Sequence, residues 1–68
     1  MNVTQNHVGQ VHVVANDRGG QFEGKVLAVT PAGAVVNVRR QLDGKEWIFL
    51  KRPELRTVRG AQVVGDGR

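Results

Sequence analysis

The chain has 68 residues, enough for one small domain, and it contains no cysteine, which excludes disulfides and thiolate metal sites. Its net charge is +4, and the whole excess lies in residues 39–68, which hold eight cationic and four acidic side chains. A basic surface on one half suits a polyanion such as nucleic acid, although many small proteins are basic for solubility alone. Because no apolar run approaches the roughly 20 residues of a membrane span and the start lacks a signal-peptide pattern, we expect a cytoplasmic protein with no membrane partner.

Short runs of β-branched and apolar residues, separated by glycine and other turn residues, predict an all-β fold. Gly24 predicts a bulge or sharp bend, and Pro53 is expected to end the fourth strand because it has no N–H for the ladder. Residues 1–10 are expected to be a flexible segment and residues 65–68 a frayed tail. Between them, over residues 11–64, we predict a small five-stranded, strongly bent antiparallel barrel. In chain order, its predicted strands are residues 11–15, 21–30, 34–42, 45–50 and a fifth within 55–64, where an interruption is expected near Gly60.

The strongest local signal is Asp43-Gly44, which separates two apolar runs and predicts a hairpin turn. If these two residues form the centre of the turn, Arg40 faces Trp47, and a cation–π pair between them is expected. Phe49 then shares a face with the valines of the third strand and is expected in the core, as is Phe22. Trp47, close to the tip, is a candidate stacking platform for a nucleic-acid base.

Three stretches resemble the Sm-like (LSm) family of small RNA-binding barrels, which includes bacterial RNA chaperones. Residues 11–26 contain a strand, a tight turn and the run Phe-Glu-Gly-Lys-Val, which is similar to the first turn of the family. Asn37 lies in the third predicted strand, where the family motif carries an Asn. The last third allows two alignments: residues 50–58 resemble the aromatic-Lys-His-Ala segment of the chaperones, and residues 58–60 resemble the hydrophobic-Arg-Gly motif of archaeal and eukaryotic members.

This resemblance implies a ring of about six or seven subunits, in which the fourth strand of one subunit pairs with the fifth strand of the next. It also implies that Lys51 and Arg52 line the pore and hold a uridine-rich end of single-stranded RNA. The chain departs from the family pattern in four ways. The ten polar, Gly-containing residues before Val11 leave little room for the helix with which the family usually opens, and the spacing from Gly24 to Asn37 is longer than in the family pattern. Arg52 stands where the chaperones have His, and residues 30–33 lack the usual acidic residue.

The candidate RNA-binding residues are cations of the second half, and the alternative is that they form a solvated, ion-paired surface. They are Arg39, Arg40, Lys51, Arg52, Arg56 and Arg59. His12 is a second stacking candidate, although it is more readily explained as a surface or half-buried residue. With His7 and Asp17 it has spacing too loose for a metal site, so neither a metal nor a cofactor is expected.

The chain has no Ser, Cys or Tyr, and its acidic residues are scattered over turns and strand ends. No catalytic residue is therefore predicted, and we do not expect an enzyme. Residues 19–25 match part of a phosphate-binding loop, but Val26 stands where Ser or Thr would hold Mg²⁺, and a strand follows instead of a helix.

The leading hypothesis is an oligomeric Sm-like RNA-binding protein. The alternative is an SH3-like protein-interaction module that docks a partner through Trp47 and the face of Ile48 and Leu50, without binding nucleic acid. An oligonucleotide-binding barrel or a ribosome-associated module ranks lower, because little chain remains after residue 55 for its last strands.

Overall fold

Five β-strands account for most of the chain in the computed structural model, which describes residues 1–66. They are β1 (Val11–Ala15), β2 (Gln21–Thr30), β3 (Gly33–Asp43), β4 (Glu46–Val58) and β5 (Gln62–Asp66). A 3₁₀ turn at Gln5–His7 precedes them, and no α-helix occurs in these residues. The strands form one antiparallel sheet in the order β4-β3-β2-β1-β5, so the predicted all-β class is confirmed.

The sheet is strongly curled, because its two edge strands are consecutive in the chain. β4 and β5 lie at opposite edges, yet only residues 59–61 connect them. In a flat five-stranded sheet the edges would lie about 19 Å apart, whereas the chain from Val58 to Gln62 reaches at most about 14 Å. Within residues 1–66, β4 and β5 form no ladder with each other, so the sheet is open along the line where its edges approach.

The core lies on the inner face of the curled sheet and consists almost entirely of valine. Successive residues of a strand point to opposite faces, so alternate residues of β3 are buried together. One core residue, Val3, comes from the segment before β1, and its N–H donates to the carbonyl of Ala61 at 3.1 Å. The packed unit therefore begins before β1. The core cluster comprises Val3, Val14, Val26, Ala34, Val36, Val38 and Val58.

The two ends of the chain extend the sheet beyond the boundaries expected for the domain. Asn2, in the segment expected to be flexible, forms an isolated antiparallel bridge with Gln62. At the other end β5 includes Gly65 and Asp66, which were assigned to the tail. Residues 67 and 68 of that tail lie outside the described residues.

A bulge at Gly24 determines how β3 lies against β2. Gly24 pairs with Val38 and Glu23 pairs with Arg40, so Arg39 is an extra residue on β3. A Cβ at position 24 would overlap backbone atoms of the facing strand, which explains the glycine. The bulge predicted at this glycine is confirmed.

The turn of the β3–β4 hairpin lies one residue later than predicted. Asp43 pairs with Glu46, so Gly44 and Lys45 are the two central residues. Gly44 has a φ of 63°, and among residues 1–66 only glycines have a positive φ, so Lys45 does not. Positive φ at the first central position only is the pattern of a type II′ turn, which suits right-twisted strands. The register centred on Asp43-Gly44 is therefore wrong.

β4 contains an irregular stretch that the sequence pattern did not indicate. Beyond Phe49 the ladder with β3 resumes only at Glu54, so residues 50–53 face the single residue Arg39. Pro53 lies in this stretch, where no ladder N–H is required, and the strand continues past it. The expectation that Pro53 ends the fourth strand is therefore wrong.

The predicted window of residues 55–64 does contain the start of the fifth strand, and it is interrupted near Gly60 as expected. Residues 55–58 belong to β4, and a turn at Arg59 and Gly60 separates them from β5, which begins at Gln62. The chain thus forms its last edge strand from only five residues.

Candidate nucleic-acid interface

A row of side chains crosses the outer face of the sheet and ends at the β4 edge. Val13 pairs with Glu23, Glu23 with Arg40, and Arg40 with Phe49. Directly paired residues share a face, and Val14, the neighbour of Val13, belongs to the core on the inner face. The row of Val13, Glu23, Arg40 and Phe49 therefore lies on the outer face.

The carboxylate of Glu23 binds two consecutive arginines. Its Oε1 accepts hydrogen bonds from Nε of Arg39 at 2.8 Å and from Nε of Arg40 at 2.7 Å, and its Oε2 accepts from Nη2 of Arg40 at 2.9 Å. Both arginines reach one carboxylate because the bulge adds Arg39 to β3. Burial raises the pKa of Glu23, but the hydrogen bonds and charges of Arg40 and Arg39 outweigh it, so this pKa lies below its ordinary value.

The guanidinium of Arg40 also packs on two aromatic rings. Its Cζ lies 4.9 Å from the ring centroid of Trp47 and 5.6 Å from that of Phe49, so the predicted pair of Arg40 and Trp47 is confirmed. Phe49 is 70 % exposed, and its expected place in the core is wrong. The bulge on β3 and the irregular stretch on β4 lie between the hairpin tip and the core, and they change the register of the tip. Phe49 therefore pairs with Arg40 and lies on the outer face with it.

The other predicted cations follow one another along β4 and the turn after it. Lys51 and Arg52 are exposed in the irregular stretch, and Arg59 is exposed in the β4–β5 turn. With the side chains of residues 1–65 these three form no ion pair. Arg56 pairs with Glu54 at 3.0 Å on the surface, and its guanidinium lies 5.7 Å from the ring of Phe22.

A cleft of about 250 Å³ brings three arginines together where the β1–β2 turn approaches the end of β4. Arg18, Arg56 and Arg59 contribute the cationic side chains, and Phe22 contributes a half-buried aromatic ring. The N–H of Asp17 donates to the carbonyl of Arg59 at 2.9 Å, which ties the two walls together. The cleft is lined by Asn16, Asp17, Arg18, Phe22, Arg56, Thr57, Val58 and Arg59.

Sequence reasoning missed Arg18 because it lies in the electrically neutral half of the chain. Only the curl of the sheet brings its turn beside Arg59, and no local pattern signals that approach. A larger cleft of about 720 Å³ between the β2–β3 and β4–β5 turns holds only Asp17 and Arg59 as charged residues. Its one cation and one anion make it less suited to a polyanion than the smaller cleft.

His12 lies apart from these cations, on the side of the sheet covered by the 3₁₀ turn. It is buried, its Nε2 lies 2.7 Å from Oε1 of Gln10, and its ring meets that of His7 edge to face at 5.0 Å between centroids. A ring packed in this way has no open face for a base to stack on.

Among the side chains of residues 1–65, no group of three His, Cys, Asp or Glu is arranged to hold a metal ion. No helix in this part of the chain is long and apolar enough to cross a membrane. Comparison with protein-family models, with curated proteins and with solved structures gave no match to this chain.

Proposed function

We propose that this protein is an Sm-like RNA-binding protein that assembles into a ring and contacts single-stranded RNA through the cations of its second half. The observation that carries the proposal is the placement of Lys51, Arg52 and Arg59, which are exposed along one edge strand and its following turn. No carboxylate of residues 1–65 pairs with these three. Exposed cations without acidic partners suit a phosphate backbone, because binding releases its condensed counterions.

The cleft between the β1–β2 turn and the end of β4 supports the same function. Arg18, Arg56 and Arg59 line it with a single acidic residue, Asp17, so cations outnumber anions there. Lys51 and Arg52 on β4, with Arg59 in the turn after it, form a basic strip. The side chains of the cleft continue this strip around the edge of the sheet. A backbone that follows the second half of β4 and the turn after it would meet Lys51, Arg52, Arg56 and Arg59 in succession.

The curled sheet supports an Sm-like barrel, since five antiparallel strands bend until the two edge strands approach each other. Ring formation is supported by these same edges. Leu55 on β4 is 68 % exposed and Val64 on β5 is 54 % exposed, and unpaired strand edges invite pairing with another chain. Repeating Lys51 and Arg52 around a ring would raise the affinity for RNA without any new type of contact.

Filter binding of a short oligouridylate over a range of salt concentrations tests the RNA-binding part of the proposal. The affinity should fall steeply with salt, and the Lys51→Ala, Arg52→Ala double variant should lower the slope of log K against log salt by about 0.7 per lost phosphate contact. Lys45→Ala is the matched control, because Lys45 is an exposed cation in the hairpin turn and lies outside the proposed strip. Its slope should equal that of the wild type.

Absence of nucleic-acid binding at low salt would contradict the proposal. The same would follow if Lys45→Ala lowered the slope as much as the double variant, since any surface cation would then suffice.

A second candidate function is a protein-interaction module with an SH3-like barrel. The exposed apolar residues Ile48 and Leu55 favour it, because they lie on the long edge strand β4, where an extended peptide would add a strand. Such a module would bind an apolar peptide with little dependence on salt and would not bind oligouridylate at low salt.

A further inference from the structure

Phe49 is the most exposed aromatic side chain in residues 1–66. It is 70 % exposed, whereas Phe22 and Trp47 are half-buried. It lies on the outer face at the edge of the sheet, directly across from Arg40. A large apolar ring in this position contributes little to the core, because the core occupies the opposite face.

The surroundings of Phe49 hold it in place before any ligand binds. The guanidinium of Arg40 lies 5.6 Å from its ring centroid, and Arg40 is itself fixed by two hydrogen bonds to the carboxylate of Glu23. Glu23 is fully buried, so this support reaches into the middle of the sheet. A side chain that is already ordered loses less conformational entropy when it binds a partner.

The charge around Phe49 distinguishes between possible occupants. Arg39 lies next to Arg40 on the facing strand and keeps 45 % of its side chain exposed, while Lys51 and Arg52 follow Phe49 along β4. A second copy of this chain stacked on the same surface would bring equal cations against these, which like-charge repulsion disfavours. Single-stranded nucleic acid supplies both an unstacked base for the ring and phosphates for the cations.

We propose that Phe49 is a base-stacking position, on which one unpaired base of single-stranded RNA lies while the neighbouring cations hold its backbone. This inference rests on the proposed RNA-binding function and adds to it the residue that contacts a base. Stacking on an aromatic ring tolerates any base, so Phe49 contributes affinity and little sequence preference.

The test compares a labelled oligouridylate with polyphosphate, which carries similar charge but no bases, in fluorescence-anisotropy titrations. Phe49→Leu keeps apolar bulk and removes the aromatic face, so it should weaken oligouridylate binding about tenfold and leave polyphosphate binding unchanged. Phe49→Trp should retain the affinity for oligouridylate. Ile48→Ala is the control: Ile48 is the next residue on the same strand, 42 % exposed, but points to the opposite face, and both affinities should stay at the wild-type level.

Three results would overturn the inference, and only the last would also overturn the proposed function. In the first, Phe49→Leu binds oligouridylate as tightly as the wild type; if it also lowers the native mass, the occupant is a second copy of the chain. In the second, Ile48→Ala weakens oligouridylate binding as much as Phe49→Leu does. In the third, the wild type binds polyphosphate and oligouridylate equally weakly at low salt.

Discussion

Glu23 orders the outer face of the sheet, because one buried carboxylate holds two arginines and one of these supports two aromatic rings. Among residues 1–65 it is the only acidic side chain that is buried. A buried charge is tolerated only when it is paired and hydrogen-bonded, and here three hydrogen bonds from Arg39 and Arg40 meet that requirement. Removing the carboxylate should therefore affect both stability and the position of the rings.

Glu23→Gln should lower the free energy of unfolding by about 2 kcal/mol, because the two guanidinium groups lose a charged acceptor in a buried site. Urea unfolding followed by the fluorescence of Trp47, the only tryptophan in the chain, measures this loss. The matched control is Glu54→Gln, which breaks the exposed pair with Arg56 and should change the stability little. Equal losses in the two variants would show that burial of Glu23 has no special effect.

The same ion pair predicts how stability depends on pH. The pKa of Glu23 is lower in the folded protein than its ordinary value, so the unfolded chain takes up the proton first as the pH falls. The stabilisation is complete above that ordinary value and is lost as the pH falls through the lower, folded pKa. The difference in unfolding free energy between the wild type and Glu23→Gln should therefore shrink in acid. A difference that stays constant down to acid pH would contradict this.

At the level of the strands, the bulge at Gly24 determines which side chains reach the outer face. Gly24→Ala should lower the free energy of unfolding by about 3 kcal/mol, because the new Cβ would overlap the carbonyl of Asn37 and the backbone would have to move. Gly65→Ala is the control, since a Cβ there meets no described atom within 4 Å. Thermal unfolding of both variants measures the effect, and a stable Gly24→Ala protein would show that the bulge is not required.

Local patterns in the sequence were sufficient for the bounds of the first two strands. β1 and β2 begin and end where short apolar runs give way to turn residues, as predicted, and Gly24 indicated its bulge correctly. The β3–β4 register was wrong because residues 50–53 face a single residue, Arg39. Lys51 and Arg52 are compatible with an ordinary exposed strand, so their presence did not indicate that the ladder is interrupted there. The burial of Glu23 was not predictable either, since its partners lie 16 and 17 residues away along the chain.

For the whole molecule, the proposed ring requires copies of the chain to pair through the two open edges of the sheet. Residues 54–58 of β4, after the irregular stretch, match β5 in length, at five residues each. Pairing of these segments between neighbouring copies would cover Leu55 and Val64, which are exposed in the single chain. It would leave Phe49, nearer the hairpin tip, open to a ligand.

Leu55→Asp and Val64→Asp should each reduce the assembly to monomers, because either change places a carboxylate in an apolar contact between subunits. Native mass spectrometry and light scattering measure the mass, which for the wild type should correspond to a ring of about six or seven copies. Leu27→Asp is the matched control: Leu27 is 41 % exposed but lies on β2, which has a strand on either side, so the assembly should remain. A monomeric wild type would contradict ring formation and favour the protein-interaction module, and an assembly that survives both edge variants would place the contact elsewhere on the surface.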